Sequence, residues 1–210
     1  MADHRTRKYP GRLIAIDGTR GKDVERGAAG IAAALKVRGI DCAVSRWDAS
    51  GLFTDLAAGI EEDGRVSVRS LSLVYAADLA FRLRWEIRPV LEAGGVVIAA
   101  PYVDTAAEFA ALCGVDEEWM TALLRFAPPP NYRGLASERK IDRPWKRRID
   151  GGYAEYGALM LAEASPKCVS KSARRAMIAA LDRKRGRGVH RLTEKGVAAL
   201  SRSIRTRRST

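Results

Sequence analysis

Residues 11–25 constrain the fold of this chain more than any other stretch. The apolar run Leu-Ile-Ala-Ile at residues 13–16 ends at the pair Asp17-Gly18. In residues 25–38, apolar side chains then recur at the three- and four-residue spacing of one helix face. A buried strand, a glycine turn and a helix, in that order, are typical of phosphate-binding α/β proteins. The sequence therefore predicts an α/β domain that opens with this unit.

The side chains expected to bind phosphate are largely missing from this turn. The Walker A pattern has a glycine, four further residues and then Gly-Lys-Ser/Thr, so that backbone N–H groups and the lysine surround the phosphates. Counted from Gly18, the second glycine, the lysine and the hydroxyl fall on Asp23, Val24 and Glu25. Two carboxylates directed at such a loop would repel a polyphosphate.

A second register of the same pattern uses Gly21-Lys22 as the Gly-Lys pair. It places Ile16 at the first glycine and Asp23 at the hydroxyl that binds Mg²⁺. This register also moves the loop back into the apolar strand, so we favour it less. In either register, Lys22 is the cation that could replace the missing lysine.

Positive charge is concentrated in the last 80 residues. The chain has 210 residues and a formal net charge of +12. Residues 1–130 contain 16 Lys and Arg and 18 Asp and Glu, whereas residues 131–210 contain 21 and 7. The net charges of the two parts are therefore −2 and +14. This asymmetry predicts an anionic partner, an acidic protein or a nucleic acid, for the C-terminal part.

Composition excludes several other classes of protein. No apolar run approaches the roughly 20 residues of a membrane span, and residues 1–11 are too polar for a secretory signal. Three widely spaced cysteines fit neither a disulfide framework nor a zinc motif. We therefore expect a cytoplasmic protein with no membrane partner, no metal site and a flexible N-terminus over residues 1–11.

The middle of the chain alternates between helical and strand patterns. Residues 40–45 and 96–100 predict buried strands, the second because it is an uninterrupted apolar run. The helical periodicity predicts helices over residues 25–38, 52–62, 67–92, 105–113 and 116–126. The loop at residues 46–51 follows the predicted strand at residues 40–45. It would lie at the carboxyl edge of the sheet, where ligands bind in parallel sheets.

The pattern changes after residue 127. Three consecutive prolines are followed by a basic stretch without an apolar run, so we expect residues 127–148 to form an irregular loop in place of a strand. Helices are expected over residues 149–164, 172–183 and 193–204, and a short edge strand over residues 167–170. Residues 12–182 would form the α/β domain, and residues 183–210 a basic linker, a helix and a tail.

The basic stretch and the next helix contain the candidate residues for an anionic partner. Phosphate contacts together with an aromatic ring for stacking are typical of nucleic-acid binding. A solvated loop is the simpler interpretation of the same pattern. The candidates are Arg139, Lys140, Arg143, Trp145, Lys146, Arg147, Arg148, Arg174 and Arg175.

Residues 12–127 resemble the bacterial thymidylate kinases in collinear blocks. The blocks are Asp17-Gly18 with Gly39, the helix at residues 73–78, Arg-Pro-Val-Leu-Glu-Ala-Gly at residues 88–94, Val-Val-Ile and Tyr-Val-Asp-Thr within residues 96–105, and the helix at residues 119–126. The resemblance implies a P-loop NTPase-like three-layer α/β/α fold with a short parallel sheet, followed by a basic helical C-terminal region. It also implies a dimer built on the long helix at residues 67–92, either a homodimer or a heterodimer with a related kinase-like chain.

The departures from this family fall on its functional positions. Val24 and Glu25 replace the Walker lysine and hydroxyl, Ala100-Pro101 replaces an Asp-Arg pair, and Leu79 replaces an arginine that binds the base. Of the family's Arg-Glu-Pro loop only the arginine remains, and its lid has no clear counterpart. The resemblance leaves seven positions for a vestigial nucleotide or phosphate site: Asp17, Gly18, Gly21, Lys22, Arg46, Asp78 and Tyr102.

Two surviving carboxylates have a structural interpretation beside the functional one. Asp17 and Asp78 could hold a metal or a nucleoside, or they could cap a helix or pair with Arg20 or Arg82. We favour the structural interpretation and expect no catalytic residue.

The sequence thus predicts a catalytically degenerate kinase-like protein that acts as a binding, scaffolding or regulatory module. The alternatives are an ATP-dependent nucleoside monophosphate kinase with an unorthodox site and a nucleic-acid-binding protein. No cofactor is expected unless the kinase alternative holds, in which case ATP and Mg²⁺ would bind.

Overall fold

A computed structural model describes residues 9–19, 21–59, 67–136, 171–183 and 189–204. The strands in these ranges are β1 (Arg12–Asp17), β2 (Cys42–Arg46), β3 (Val96–Ala100), β4 (Tyr132–Ala136) and β5 (Val189–Leu192). The helices are α1 (Gly21–Val37), α2 (Leu52–Gly59), α3 (Val68–Arg82), a π-helical segment (Leu83–Ile87), α4 (Arg88–Glu92), α5 (Val103–Leu112), α6 (Glu117–Leu123), α7 (Lys171–Arg183) and α8 (Glu194–Ser203).

The five strands form one parallel sheet in the order β2-β3-β1-β4-β5. β1 is central: Ile14 is opposite Ile98 of β3 on one side and Tyr132 of β4 on the other. β1 and β3 have almost entirely buried apolar sequences, as expected for strands that are covered on both faces.

Helices cover both faces of the sheet, giving three layers. On one face, α1 and α8 pack together, with Ile31, Leu35 and Leu200 in one apolar cluster. On the other face, the long helix α3, helices α5 and α6, and α7 contribute a second and larger cluster. The architecture confirms the predicted P-loop-like α/β fold class.

β4 corrects the expectation of an irregular loop through residues 127–148. The strand lies within that stretch and pairs with both β1 and β5. Its sequence, Tyr-Arg-Gly-Leu-Ala, contains no apolar run. Contacts with distant residues stabilise β4 although it has no apolar run. Asp104 pairs with Arg133, and Leu192 lies over Gly134.

Most of the other expected elements are present with small shifts at their ends. α1 begins at Gly21, four residues earlier than the periodicity predicts, and Gly39 (φ 69°) follows its C-terminal end in the left-handed conformation. The 67–92 helix is continuous from α3 to α4 through the π-helical segment. Asp116 and Thr193 are the side-chain N-caps of α6 and α8.

Several expectations concern residues that the structure does not describe. These are the helix at 149–164, the edge strand at 167–170 and the basic stretch at 139–148, which lie outside the described residues, as do residues 1–8. Nearer the domain, the Gly11 N–H donates to the Leu91 carbonyl at 2.9 Å, so the chain is anchored one residue before β1. Among the helices that the structure describes, none is both long enough and apolar enough to cross a membrane.

Two glycines of α1 form a matched pair for testing the contact between α1 and the β5–α8 unit. A Cβ added at Gly30 would lie 3.7 Å from Val197 Cγ2, which is ordinary contact, whereas one at Gly27 would lie 2.8 Å from Leu192 Cδ1. Gly30→Ala should therefore raise the free energy of unfolding by about 0.5–1 kcal/mol through helix propensity. Gly27→Ala should raise the free energy of unfolding by less, or lower it, because the added methyl group would crowd Leu192. Urea denaturation measures the free energy of unfolding of both variants. An equal gain from the two substitutions would contradict the close contact at Leu192.

Candidate functional site

The carboxyl ends of β1 and β3 mark the candidate site. The connection from β1 leads to β2 on one side, whereas the connection from β3 leads across β1 to β4 on the other. In open parallel sheets, ligands bind outside the carboxyl ends of the strands where such connections diverge. The structure brings Asp17 and Gly18 to this edge after β1, and Arg46 at the end of β2.

Asp17 joins the end of β1 to the start of α5. Its Oδ1 accepts hydrogen bonds from Tyr102 N (3.0 Å), Thr105 N (2.9 Å) and Thr105 Oγ1 (2.8 Å). The Thr105 hydroxyl in turn accepts from Gly18 N at 3.1 Å. Burial, and secondarily the nearby Asp104 carboxylate, raise the pKa of Asp17 to about 6. The carboxylate thus caps the first turn of α5, in agreement with the structural interpretation.

The turn after β1 is closely packed by apolar side chains. A Cβ at Gly18 would lie 2.8 Å from Ala136 Cβ and 2.9 Å from Val24 Cγ2. Val24 is 1% exposed and belongs to the same apolar cluster as Ile31 and Leu35 on α1. Asp23 is buried as well and is paired with Arg26 one turn along the helix. Two side chains at the Walker positions therefore point into protein contacts.

Gly21 and Lys22 form the first turn of α1. Lys22 and Glu25, which lie on the same turn, are both exposed. The only cation of the Walker-like stretch within residues 21–25 thus stays near the solvent, next to carboxylates.

Asp78 lies within a buried network that sequence reasoning identified only in part. Asp78 accepts from Ser50 N at 3.0 Å, from Ser50 Oγ at 2.8 Å and from Asp48 N at 3.3 Å. Arg82 Nη1 lies 3.8 Å from Asp78 Oδ2, and both side chains are completely buried. Burial raises the pKa of Asp78, although the Ser50 hydrogen bonds and the Arg82 charge oppose that shift.

Arg82 also connects the ends of two strands. Its Nε donates to Ser45 Oγ at 2.9 Å, and its Nη2 donates to Ser45 O at 3.2 Å and to Pro101 O at 2.9 Å. The predicted pairing of Asp78 with Arg82 is therefore present, as one side of a larger clamp. The i, i+4 spacing of an acid and an arginine on a largely buried helix is the signal that could have identified it.

Tyr102 is at the edge only through its backbone. Its ring is buried, and its hydroxyl donates to Pro128 O at 2.7 Å. The carbonyl of Tyr102 accepts from the Tyr75 hydroxyl. Burial raises the pKa of Tyr102 above its ordinary value. This tyrosine supports the packing of α3 and α5 and does not present its hydroxyl to a ligand.

The residues of the β2–α2 loop, 46–51, are more ordered than their sequence suggests. Asp48 (φ 58°) caps α2 through Phe53 N at 2.8 Å and Thr54 N at 3.0 Å. Trp47 is buried and lies against Phe53 and Tyr75. Arg46 is exposed. Trp47 was not among the predicted site residues, although it follows Arg46 directly.

Most of the residues predicted to bind an anionic partner, those at positions 139–148, lie outside the described residues. Arg175 is an exposed side chain on α7, and position 174 lies on the same helix. Across the described ranges, no cluster of three or more His, Cys, Asp or Glu side chains could hold a metal ion.

A cavity of about 360 Å³ lies between α5, α6 and the proline segment at residues 128–130. Asp104 and Arg133, which form an ion pair, are part of its wall together with apolar side chains such as Met120 and Leu124. One of its lining residues, Asp104, is also the carboxylate that contributes to the raised pKa of Asp17.

The raised pKa of Asp17 predicts a pH dependence of stability. Because the folded protein retains this proton up to about pH 6 and the unfolded chain only to about pH 4, stability falls as the pH rises between these values. Asp17→Asn keeps an acceptor oxygen and cannot ionise. The free energy of unfolding of this variant, relative to the wild type, should therefore rise by up to about 3 kcal/mol between pH 4 and pH 7. Urea denaturation across this range measures the difference.

Asp55→Asn, which removes an exposed carboxylate on α2, is the matched control for the loss of one charge. Parallel pH profiles for wild type and Asp17→Asn would show that Asp17 ionises equally in both states.

The sequence has relatives among proteins of known name. No protein-family model matches the chain. It is 30% identical over 122 residues to the probable thymidylate kinase 2 of Saccharolobus solfataricus, covering 58% of this chain and 57% of that protein. It is 35% identical over 96 residues, 44% of each chain, to the probable thymidylate kinase of Thermococcus gammatolerans. A similar protein of Thermococcus onnurineus shows 28% identity over 151 residues, 66% of this chain and 71% of the relative.

The chain spans about half the length of the first two of these relatives. The parallel sheet with helices on both faces agrees with this similarity. By sequence and by fold, the chain is thymidylate kinase-like.

Proposed function

We propose that this chain is a catalytically degenerate member of the group, acting as a binding, scaffolding or regulatory module through its basic C-terminal region. The observation that carries the proposal is the burial of Val24, which packs near Gly18 and holds the position that the resemblance gives to the Walker lysine. Phosphoryl transfer depends on positioned charges rather than on covalent chemistry, so the loss of this lysine removes a principal contribution.

ATP and Mg²⁺ do not fit the residues present. In the register counted from Gly18, Val24 holds the position of the Walker lysine, and its methyl groups lie against Gly18. The buried carboxylate of Asp23 is already paired with Arg26. Glu25 holds the position of the hydroxyl that would bind the metal. Leu79 and Ala100, which replace charged residues of the resemblance, are buried in the apolar core.

The distribution of charge supports a binding role elsewhere on the molecule. Residues 131–210 contain 21 Lys and Arg against 7 Asp and Glu. Arg175, Lys195 and Arg202 are exposed on α7 and α8. An excess of exposed cations favours an acidic protein or a nucleic acid as the partner. The compartment that we propose is the reducing cytoplasm, because Cys42 is a free thiol.

Calorimetry with MgATP tests the loss of the nucleotide site. The full-length protein should release no binding heat at millimolar MgATP, and it should show no turnover of ATP in the presence of thymidylate. Lys22→Ala should leave both results unchanged. Saturable MgATP binding, or thymidylate-dependent turnover that Lys22→Ala or Asp78→Asn abolishes, would overturn the proposal.

The second candidate is an ATP-dependent nucleoside monophosphate kinase, and two observations favour it. Two of the relatives are named probable thymidylate kinases, and Lys22 is exposed at the start of α1. The turnover assay above separates this candidate from the first. A third candidate, a nucleic-acid binder, requires affinity for a generic duplex that falls steeply with salt.

We also propose that the chain forms a homodimer, or a heterodimer with a kinase-like chain, through the exposed face of α3 and the π-helical segment. Leu73, Phe81 and Trp85 lie on this face and are 53%, 39% and 64% exposed. Large apolar side chains exposed in a row are typical of an interface. The face continues the long helix that the resemblance assigns to dimer contacts.

Sedimentation velocity tests the dimer. The wild type should sediment with the mass of two chains at micromolar concentration, and Phe81→Glu with Trp85→Glu should shift it to one. Val37→Glu replaces an 89% exposed valine at the end of α1 and should leave the mass unchanged. A wild-type protein that sediments as a single chain at tens of micromolar would refute the homodimer, and a partner chain would then have to be sought.

A further inference from the structure

The outer side of α1 has a regular pattern of cationic and small side chains. Because residues three and four apart lie on one side of a helix, the exposed positions of α1 form a single stripe. The residues of this stripe are Lys22, Arg26, Ala29, Ala33 and Lys36. The two lysines at its ends are about 21 Å apart along the helix axis. The buried residues of α1 lie on the opposite side of the helix.

The outer side of α8 has the same pattern. Lys195 and Arg202 are both exposed, and their spacing of two helical turns places them on one side of the helix. Between them lie two half-buried alanines, Ala198 and Ala199. Both helices therefore have cations towards their ends and small side chains in the middle.

α1 and α8 lie side by side and run in the same direction. At the start of α8, a Cβ added to Gly27 of α1 would lie 2.8 Å from Leu192 Cδ1. At the other end, Arg38 Nη1 donates to the Ile204 carbonyl at 3.4 Å. Because both helices cover the same face of the sheet, their exposed sides are directed away from it. These sides together form one surface, the α1–α8 face, which consists of Lys22, Arg26, Ala29, Ala33, Lys36, Lys195 and Arg202.

Positive charge predominates on the α1–α8 face. The exposed carboxylates of the two helices are Glu25 and Glu194, and neither follows the spacing of the cationic stripes. Asp23 is buried and paired with Arg26, which leaves the other four cations of the face without that neutralisation. After α8 the sequence continues with Arg-Thr-Arg-Arg at residues 205–208. The face therefore suits an anionic partner.

The small side chains of the α1–α8 face favour a phosphate backbone as that partner. Protein interfaces are centred on large apolar or aromatic anchors and are depleted in lysine, and helices that lie on membranes insert large apolar side chains. In the described ranges, Val37 at the end of α1 is the only exposed large apolar side chain on either helix. None of the residues of the face is aromatic, so bases cannot stack on it as single strands require. A double-stranded nucleic acid, with its dense and regular charge, fits these features best.

We propose that the α1–α8 face binds the phosphate backbone of a double-stranded nucleic acid. The alanines let the duplex approach the two helices closely, and the lysines and arginines around them contact phosphates. Phosphate contacts position a protein on a duplex without reading its sequence, so the binding is independent of base sequence. This inference rests on the proposed binding role, because it names the partner and adds the outer side of α1 to the basic C-terminal region.

Fluorescence anisotropy with short labelled duplexes of mixed sequence, one of DNA and one of RNA, tests the face in the full-length protein. The wild type should bind at low salt, with an association constant that falls linearly with salt on logarithmic axes. The test variant replaces three cations of the face by Gln, namely Lys36, Lys195 and Arg202. It should bind at least about tenfold more weakly, with a salt slope smaller by about 2–3. The duplex that the wild type binds more tightly identifies the nucleic acid.

The matched control makes the same change of charge on the other side of the sheet. It replaces by Gln three exposed cations of α3, α7 and the turn after α6, namely Arg69, Arg183 and Arg125. Its salt slope should equal that of the wild type, because none of these residues would contact the duplex. Equal losses in the two triple variants would show a general effect of net charge and would overturn the proposal. A wild type that binds neither duplex at low salt, or that binds only single strands, would overturn it as well.

A second test seeks a gain of affinity, which a misfolded variant cannot produce. Ala33→Lys adds a cation in the middle of the stripe on α1 and should increase the salt slope by about 1, with tighter binding at low salt. Ala122→Lys adds the same charge at an exposed position of α6 and should leave the slope unchanged. An unchanged slope in Ala33→Lys would contradict the proposed contact.

The two proposals fail in distinguishable ways. The variants of the α1–α8 face leave Lys22 and the turn at Gly18 unchanged, so calorimetry with MgATP reports on the nucleotide site independently. Saturable MgATP binding together with the expected duplex results would overturn only the proposed loss of the nucleotide site. Absence of both MgATP binding and duplex binding would overturn only the assignment of the α1–α8 face.

Discussion

The buried pair of Asp78 and Arg82 organises the carboxyl edge of this sheet. Two charges inside a protein are costly unless several hydrogen bonds compensate them. Here the bonds come from the ends of β2 and β3 for the arginine, and from the β2–α2 loop for the carboxylate. One helix therefore fixes two strand ends and the loop between them. Removing either charge would leave the other buried without its ion-pair partner, so the pair stabilises this arrangement of the edge.

The sequence predicts those parts of the fold whose structure is determined by residues close together in the chain. The short apolar runs of β1 and β3 favour buried strands, and the three- and four-residue spacing of Ala28, Ile31 and Leu35 gives α1 its core face. Caps such as Asp116 and Thr193 act within one turn of their own helix. Each of these signals lies within a few residues of the structure that it determines.

β4 and the site depend on contacts between residues far apart in the chain, so the sequence alone does not reveal them. Arg133 is tolerated in β4 because Asp104, 29 residues away, pairs with it. Long-range contacts also decide what three of the expected site residues do. Asp17 and Asp78 accept hydrogen bonds from backbone N–H groups, and the Tyr102 side chain is directed into the core. Only the tertiary structure decides whether a polar side chain at the edge serves a ligand or a neighbouring loop.

Two apolar groups at this edge, Val24 and Trp47, have a common physical consequence. A nucleotide site must keep empty, charge-lined space in the free protein, and such space reduces stability. A valine packed on Gly18 and an indole stacked on Tyr75 fill space with protein atoms and bury apolar surface at the same time. The proposed loss of nucleotide binding would remove the functional cost of such filling, because no ligand would then need the space. Hydrogen bonds from Asp48 and Ser50 to Asp78 meanwhile hold the loop that carries this indole. The proposed loss of nucleotide binding would thus leave the framework of the carboxyl edge in place, with protein atoms packed inside it.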